Sequence, residues 1–224
     1  MACARTDLGA GRRRSQLTVL AITGAFFQLF AILLTSLLWF AMPSSFAGRA
    51  PLSLVLGVLI QESTRFVFVY LYGRAEQAIV KAGDTTTLPF TELSSAVASG
   101  FGIGLLSSLV TYGDVLAASL GEADYFIPGC PGVSLFIASA FQSLALQILH
   151  VSLTIVAFDG RRSAAASTHA RRGIIVLALH MGASLSSLAN NNAAVGGCAL
   201  GLSLYFIIVA LALALATRTA RNML

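Results

Sequence analysis

The sequence predicts an all-α, polytopic membrane helix bundle with six transmembrane helices, and three observations carry that expectation. Of 224 residues, 57% are hydrophobic and only 10% charged, whereas soluble domains carry about 25% charged residues. Too few charges remain to coat a soluble surface. Six apolar runs have about 17 residues or more, the least that a helix needs to cross ~30 Å of hydrocarbon. With six spans, twelve of the fourteen Lys and Arg residues fall on one side of the membrane, and an odd number would scatter them.

The runs follow in order. Leu17–Met42 comes after Arg12–Arg14 and is too long for a secretory signal, whose apolar region is about 7–15 residues, so it reads as a retained signal anchor despite the small-x-small look of Ser45-Phe46-Ala47. Pro51–Tyr72, Phe90–Thr111, Gly132–Phe158, Gly173–Ala189 and Ala194–Ala216 complete the set. The connectors Pro43–Ala50, Gly73–Pro89, Tyr112–Pro131, Asp159–Arg172 and Asn190–Ala193 are rich in turn or polar residues. This gives a basic N-terminal segment (1–16), one transmembrane helical domain (17–216) and a short basic tail (217–224). Arg218 and Arg221 mark the last run as a span with a basic flank rather than a removable lipid-anchor signal.

Orientation follows from charge. The N-terminus, the second and fourth connectors and the C-terminus share the basic side, the opposite side holds Arg49, and Arg65 lies within a span. The positive-inside rule then places both termini in the cytosol. A net charge of +5 distributed in this way reflects topology and the lipid bilayer and implies no nucleic acid. Cys130 and Cys198 fall at the lumenal end, where a disulfide is permitted; the sequence does not decide whether they pair.

Within the spans, ionisable residues converge on one layer. His150 stands eight residues before Phe158 and His180 eight after Arg172, roughly 12 Å from the basic side at ~1.5 Å per residue. Arg65, eight residues before Gly73, is level with them, and Glu62 lies one turn deeper on the same face. A charge at mid-bilayer costs about 2.5–3.5 kcal/mol on insertion scales, so such groups face the bundle interior and pair there. Two readings stand for this cluster: structural pairing, or a direct role at a partner or substrate. A second signal is Ser99–Ser108, "SGFGIGLLSS", where Gly100, Gly104 and Ser108 recur every four residues. Small residues at that spacing admit a neighbouring helix to close range where lipid supplies no hydrophobic drive.

The motifs of intramembrane catalysis are missing. A rhomboid-type serine protease needs Gly-x-Ser-Gly, an aspartyl protease two aspartates within spans that share a proton, and a zinc protease His-Glu-x-x-His; none of these is in the sequence. We therefore expect no catalytic residue, no metal site and no cofactor. The two histidines leave open a bis-histidine haem electron-transfer protein, and the architecture leaves open a small polytopic transporter.

Several stretches together resemble the anterior pharynx-defective (Aph) family, the scaffold subunit of the γ-secretase intramembrane protease complex. They are Gly24–Phe40, Leu59–Tyr70 with its Gln-Glu-x-x-Arg-Phe, Ser99–Ser108, the span ending in Phe158-Asp159 with His150, and Val176–Asn190 with His180. Their order over residues 24–216 is more specific than any one motif. The family usually has seven spans, and on this alignment the chain starts ahead of the second; Ser108 replaces the family's third glycine. The resemblance implies a non-catalytic scaffold, an endopeptidase activator rather than an enzyme. It would assemble presenilin, nicastrin and the presenilin enhancer subunit in endoplasmic reticulum, Golgi and plasma membranes, for processing of Notch-type and amyloid-precursor-type substrates. Gly100, Gly104 and Ser108 would serve helix packing and assembly, and Glu62, Arg65, His150 and His180 a polar interior on which presenilin docking depends.

Overall fold

In a computed structural model the chain is described over residues 3–42, 50–82, 91–120, 125–127, 130–162, 166–191 and 197–223. Six long helices follow one another: α1 (Cys3–Ala41), α2 (Ala50–Lys81), α3 (Glu92–Ala118), α4 (Leu135–Arg162), α5 (Ala166–Ser186) and α6 (Gly197–Met223). Each contains a stretch long and apolar enough to cross a membrane. A short antiparallel hairpin, β1 (Phe126–Ile127) and β2 (Cys130–Ser134), precedes α4, and a 3-10 turn, Ser187–Asn191, continues α5. Arg49 with the rest of 43–49, the segment 83–90, and residues 192 and 193 of the expected connector 190–193 lie outside the described residues.

The helices overrun the apolar runs on the basic side. Continuing to Lys81, α2 takes in Ala75, Glu76, Gln77 and Ala78, good helix formers, while the breakers Gly83 and Pro89 come later in sequence. The expected connector Asp159–Arg172 is helical at both ends, to Arg162 and again from Ala166, because alanine and arginine sustain a helix outside hydrocarbon as readily as within it. At the other end of the molecule, the expected connector Tyr112–Pro131 contains the last turns of α3 and the first part of the hairpin, whose second strand runs on to Ser134. The start of α3 is set by Thr91, whose extended backbone leaves its hydroxyl to accept the Ser94 N–H at 3.3 Å. This caps one of the N–H groups that a helix start leaves unpaired.

Helix α4 is the centre of the bundle. Leu149, Leu153, Val156 and Phe158 are almost fully buried, in one cluster with Phe68 and Val69 of α2, Val176 of α5 and Val209 and Ala212 of α6. It packs against α3, α6 and α5, and more narrowly against α2. On its far side α3 packs against α1, while α2 bridges α1 and α5. Many apolar residues of α1 point outward, among them Ile22, Phe26, Leu33 and Leu37, each near or above 60% exposed. Such a face suits acyl chains or another membrane helix, not water.

Helix α3 can lie between two neighbours because it carries small residues on two faces. A Cβ added to Gly100 would stand 3.0 Å from Val151 Cα and Thr154 Cβ, and one on Gly104 3.0 Å from the Gln147 carbonyl, all on α4. Ser108 extends the same face by donating to the Ser143 carbonyl at 2.7 Å. On the opposite face the approach is closer. A Cβ on Gly102 would fall 1.8 Å from the Ala21 carbonyl oxygen of α1, and one on Gly24 of α1 would fall 2.3 Å from the Ser99 carbonyl oxygen. Only glycine fits at these two points.

At the end opposite the arginine-rich side, Cys198 is disulfide-bonded and buried at the start of α6. It belongs to a small second core with Ile127 and Ala138 that seats the hairpin on the bundle.

Candidate functional site

The site is built where α2, α4 and α5 meet. Glu62 and Arg65 are one helical turn apart on α2, and the bundle presents them to His150 and Thr154 of α4 and His180 of α5, all five being buried. Arg65 Nη1 donates to the His150 carbonyl and to Thr154 Oγ1, both at 2.9 Å. Its Nη2 donates to His150 Nδ1 at 2.7 Å. Its Nε stands 3.1 Å from Glu62 Oε2, an ion-pair contact outside hydrogen-bond geometry. The other carboxylate oxygen, Glu62 Oε1, is 2.5 Å from His180 Nδ1. All four ionisable residues singled out in the sequence thus form one chain, His180–Glu62–Arg65–His150, and its two terminal rings close edge to face with centroids 5.0 Å apart.

Donor and acceptor roles follow from the chemistry of the groups. A guanidinium has no acceptor, so His150 Nδ1 accepts from Arg65 and its proton resides on Nε2. A carboxylate only accepts, so His180 Nδ1 carries the proton and donates to Glu62. The charges of Glu62 and Arg65 compensate each other, and each histidine is held by one ring nitrogen. Thr154, which the sequence reading overlooked, accepts from Arg65 while donating to the His150 carbonyl at 2.8 Å. Threonine bonding back to residue i−4 is common in apolar helices, and nothing in the pattern separates this one from any other.

A bis-histidine haem does not fit this geometry. Two axial imidazoles must approach the iron from opposite sides at about 2 Å each, with the macrocycle between them and the ring centroids roughly 6 Å or more apart. Here the rings meet edge to face with centroids 5.0 Å apart, which leaves no room for a macrocycle between them. Among the described residues no three His, Cys, Asp or Glu side chains form a group able to hold a metal ion.

A cavity of about 260 Å³ adjoins the histidines, lined in part by Gln28, Gln61, Gln142, His150, His180 and Tyr205. It has room for several waters, and its amides and rings supply the partners they need. Tyr205 donates to the Gln142 carbonyl at 3.2 Å, fixing one wall.

A second ionic cluster, at the basic end, was not legible as a unit. Arg161 of α4 donates to Glu76 of α2 at 2.6 Å and to Glu92 of α3 at 2.7 Å, and its guanidinium stands 5.4 Å from the centre of the Tyr72 ring. Gly73 makes this reach feasible: a Cβ there would stand 2.9 Å from Arg161 Nη1. Three helices are clamped by one side chain.

The profile of the family described as Aph-1 protein matches residues 12–223. The chain belongs to the Aph-1 family. Among proteins similar to this Aph-1 member, the gamma-secretase subunit Aph-1b of Danio rerio is 32% identical over 149 residues, covering 63% of this chain and 57% of that protein. The gamma-secretase subunit APH-1B of Homo sapiens is 33% identical over 150 residues, covering 63% and 58%. The gamma-secretase subunit APH1-like of Arabidopsis thaliana is 28% identical over 166 residues, covering 72% and 64%. The matched region therefore spans less than two thirds of the length of these relatives. With six helices long and apolar enough to cross a membrane among the described residues, family membership makes this chain a multi-pass membrane protein.

Proposed function

We propose that this chain is a non-catalytic scaffold subunit of a γ-secretase-type intramembrane protease complex. The observation that carries the reading is the Aph-1 family match over residues 12–223, reinforced by relatives named as γ-secretase subunits in animals and a plant. The chemistry of the interior is compatible with it. Glu62, Arg65, His150 and His180 pair with one another across three helices, an arrangement that fixes helix positions. In this role the chain presents its outward helix faces to presenilin, nicastrin and the presenilin enhancer subunit, with both termini in the cytosol and the assembly residing in endoplasmic reticulum, Golgi and plasma membranes. Gly100, Gly104 and Ser108 contribute indirectly, by setting the α3–α4 spacing on which the outer faces depend.

The test is affinity purification in mild detergent from cells expressing the tagged chain. Recovery of a presenilin-type protease with its other subunits, and cleavage of a Notch-type or amyloid-precursor-type substrate by the assembly but not by the isolated chain, is the expected result. Cleavage by the isolated chain, abolished by changes in its own residues, would overturn the reading.

A further inference from the structure

At the arginine-rich end, α2 and α5 do not close on each other completely. A cleft of about 210 Å³ remains, with Phe66, Val69 and Tyr70 along its length and Arg74, Arg161 and His169 about its mouth. Phe66, Tyr70, Arg74 and Gln77 recur at near helical spacing, so one face of α2 runs from apolar to cationic and polar over twelve residues, roughly 16 Å. Opposite Phe66, Gly173 of α5 leaves space, a Cβ there standing 3.6 Å from the ring.

Among the described residues, the mouth has one uncommitted cation. Arg161 is held by Glu76 and Glu92, and Arg172 by Asp159 at 2.7 Å. Arg74 is exposed and has no hydrogen-bond or ion-pair partner among the described residues. His169 Nδ1 donates to the Gly160 carbonyl at 3.2 Å, which leaves Nε2 for another partner. Tyr70 is 61% exposed beside the apolar part, the amphipathic position tyrosine takes at the bilayer surface.

We propose that this cleft binds one anionic glycerophospholipid of the cytosolic leaflet, with its phosphate paired to Arg74 and the upper part of an acyl chain along Phe66, Val69 and Tyr70. The occupant follows from the gradient. A soluble anion would use the cation but not the apolar wall, and a neutral lipid would use the wall but leave Arg74 unpaired. The basic bias of this end places it against the leaflet whose surface potential is negative.

Native mass spectrometry of the full chain in detergent micelles, titrated with dioleoylphosphatidylserine or dioleoylphosphatidylcholine, tests the proposal. The expected result is one tightly retained phosphatidylserine per chain and weaker retention of phosphatidylcholine. Arg74→Gln should lower phosphatidylserine affinity about five-fold, the equivalent of ~1 kcal/mol per surface cation, and leave phosphatidylcholine unchanged. Gln77→Trp, which fills the mouth without altering charge, should lower it as well, while Lys81→Gln, at the same end outside the cleft, should change it less than two-fold. Equal losses in Arg74→Gln and Lys81→Gln would show diffuse charge attraction and overturn the proposal. So would an unchanged Arg74→Gln, or displacement of the lipid by soluble glycerophosphoserine at the same concentration.

Discussion

The molecule holds its helices together with two ionic clusters of similar composition and opposite setting. In the interior, Glu62 and Arg65 have side chains 3% and 1% exposed; at the basic end, Arg161, Glu76 and Glu92 are 22%, 31% and 16% exposed. Each cluster binds three helices. The difference is the solvent: water screens the outer cluster and can replace a lost partner, whereas in the interior a lost partner leaves a charge with nothing to solvate it. Buried pairs are therefore costly to break even when their net contribution is small, while exposed pairs are worth little either way.

Substitutions sharpen that contrast. The largest effect is expected at Arg65: Arg65→Met leaves the Glu62 carboxylate buried beside His180 alone and should cost about 3–5 kcal/mol, read as unfolding free energy in a detergent titration. Next is Gly102→Leu, which forces α1 and α3 apart at their closest approach and should cost about 1–3 kcal/mol or more. The same change at Gly113, where an added Cβ meets nothing within 4 Å, should leave the unfolding curve almost unmoved. His150→Ala and His180→Ala remove partners of Arg65 and Glu62, at about 1–3 kcal/mol each, and co-purification of the proposed complex should fall with them. Smallest is Arg161→Gln, about 1 kcal/mol or less. The stabilities of the parent and Arg161→Gln should converge as salt shortens the screening length, whereas the Arg65→Met deficit should persist at high salt.

The same contrast explains what the sequence could reveal. Ionisable residues in an apolar run are conspicuous, and counting from the charged flanks sufficed to put Glu62, Arg65, His150 and His180 on one level. The outer clamp left no comparable signal, because Glu76 and Arg161 fall in expected connectors and Glu92 only two residues into the run Phe90–Thr111, at the membrane edge where charges are ordinary. The glycines of α3 show a subtler limit. Gly100, Gly104 and Ser108 stood out through their four-residue repeat, but Gly102 lies roughly 200° around the helix from Gly100 at 3.6 residues per turn. It belongs to a second face whose other half, Gly24, is on another helix. Spacing within one helix cannot show that pairing. The helices run past the apolar runs for a related reason: hydropathy marks where hydrocarbon stops, and the backbone ladder of α2 and α4 continues until the residues themselves stop favouring it.

The most direct test of the interior cluster as a mutually compensating unit is a double-mutant cycle on Glu62 and Arg65, measured by detergent-induced unfolding. Arg65→Met alone should be strongly destabilised, and adding Glu62→Gln, which removes the stranded charge while keeping a partner for His180, should recover a large part of the loss. If the two substitutions simply add, so that the double variant is less stable than Arg65→Met alone, the two charges do not compensate each other and the account of the interior is contradicted.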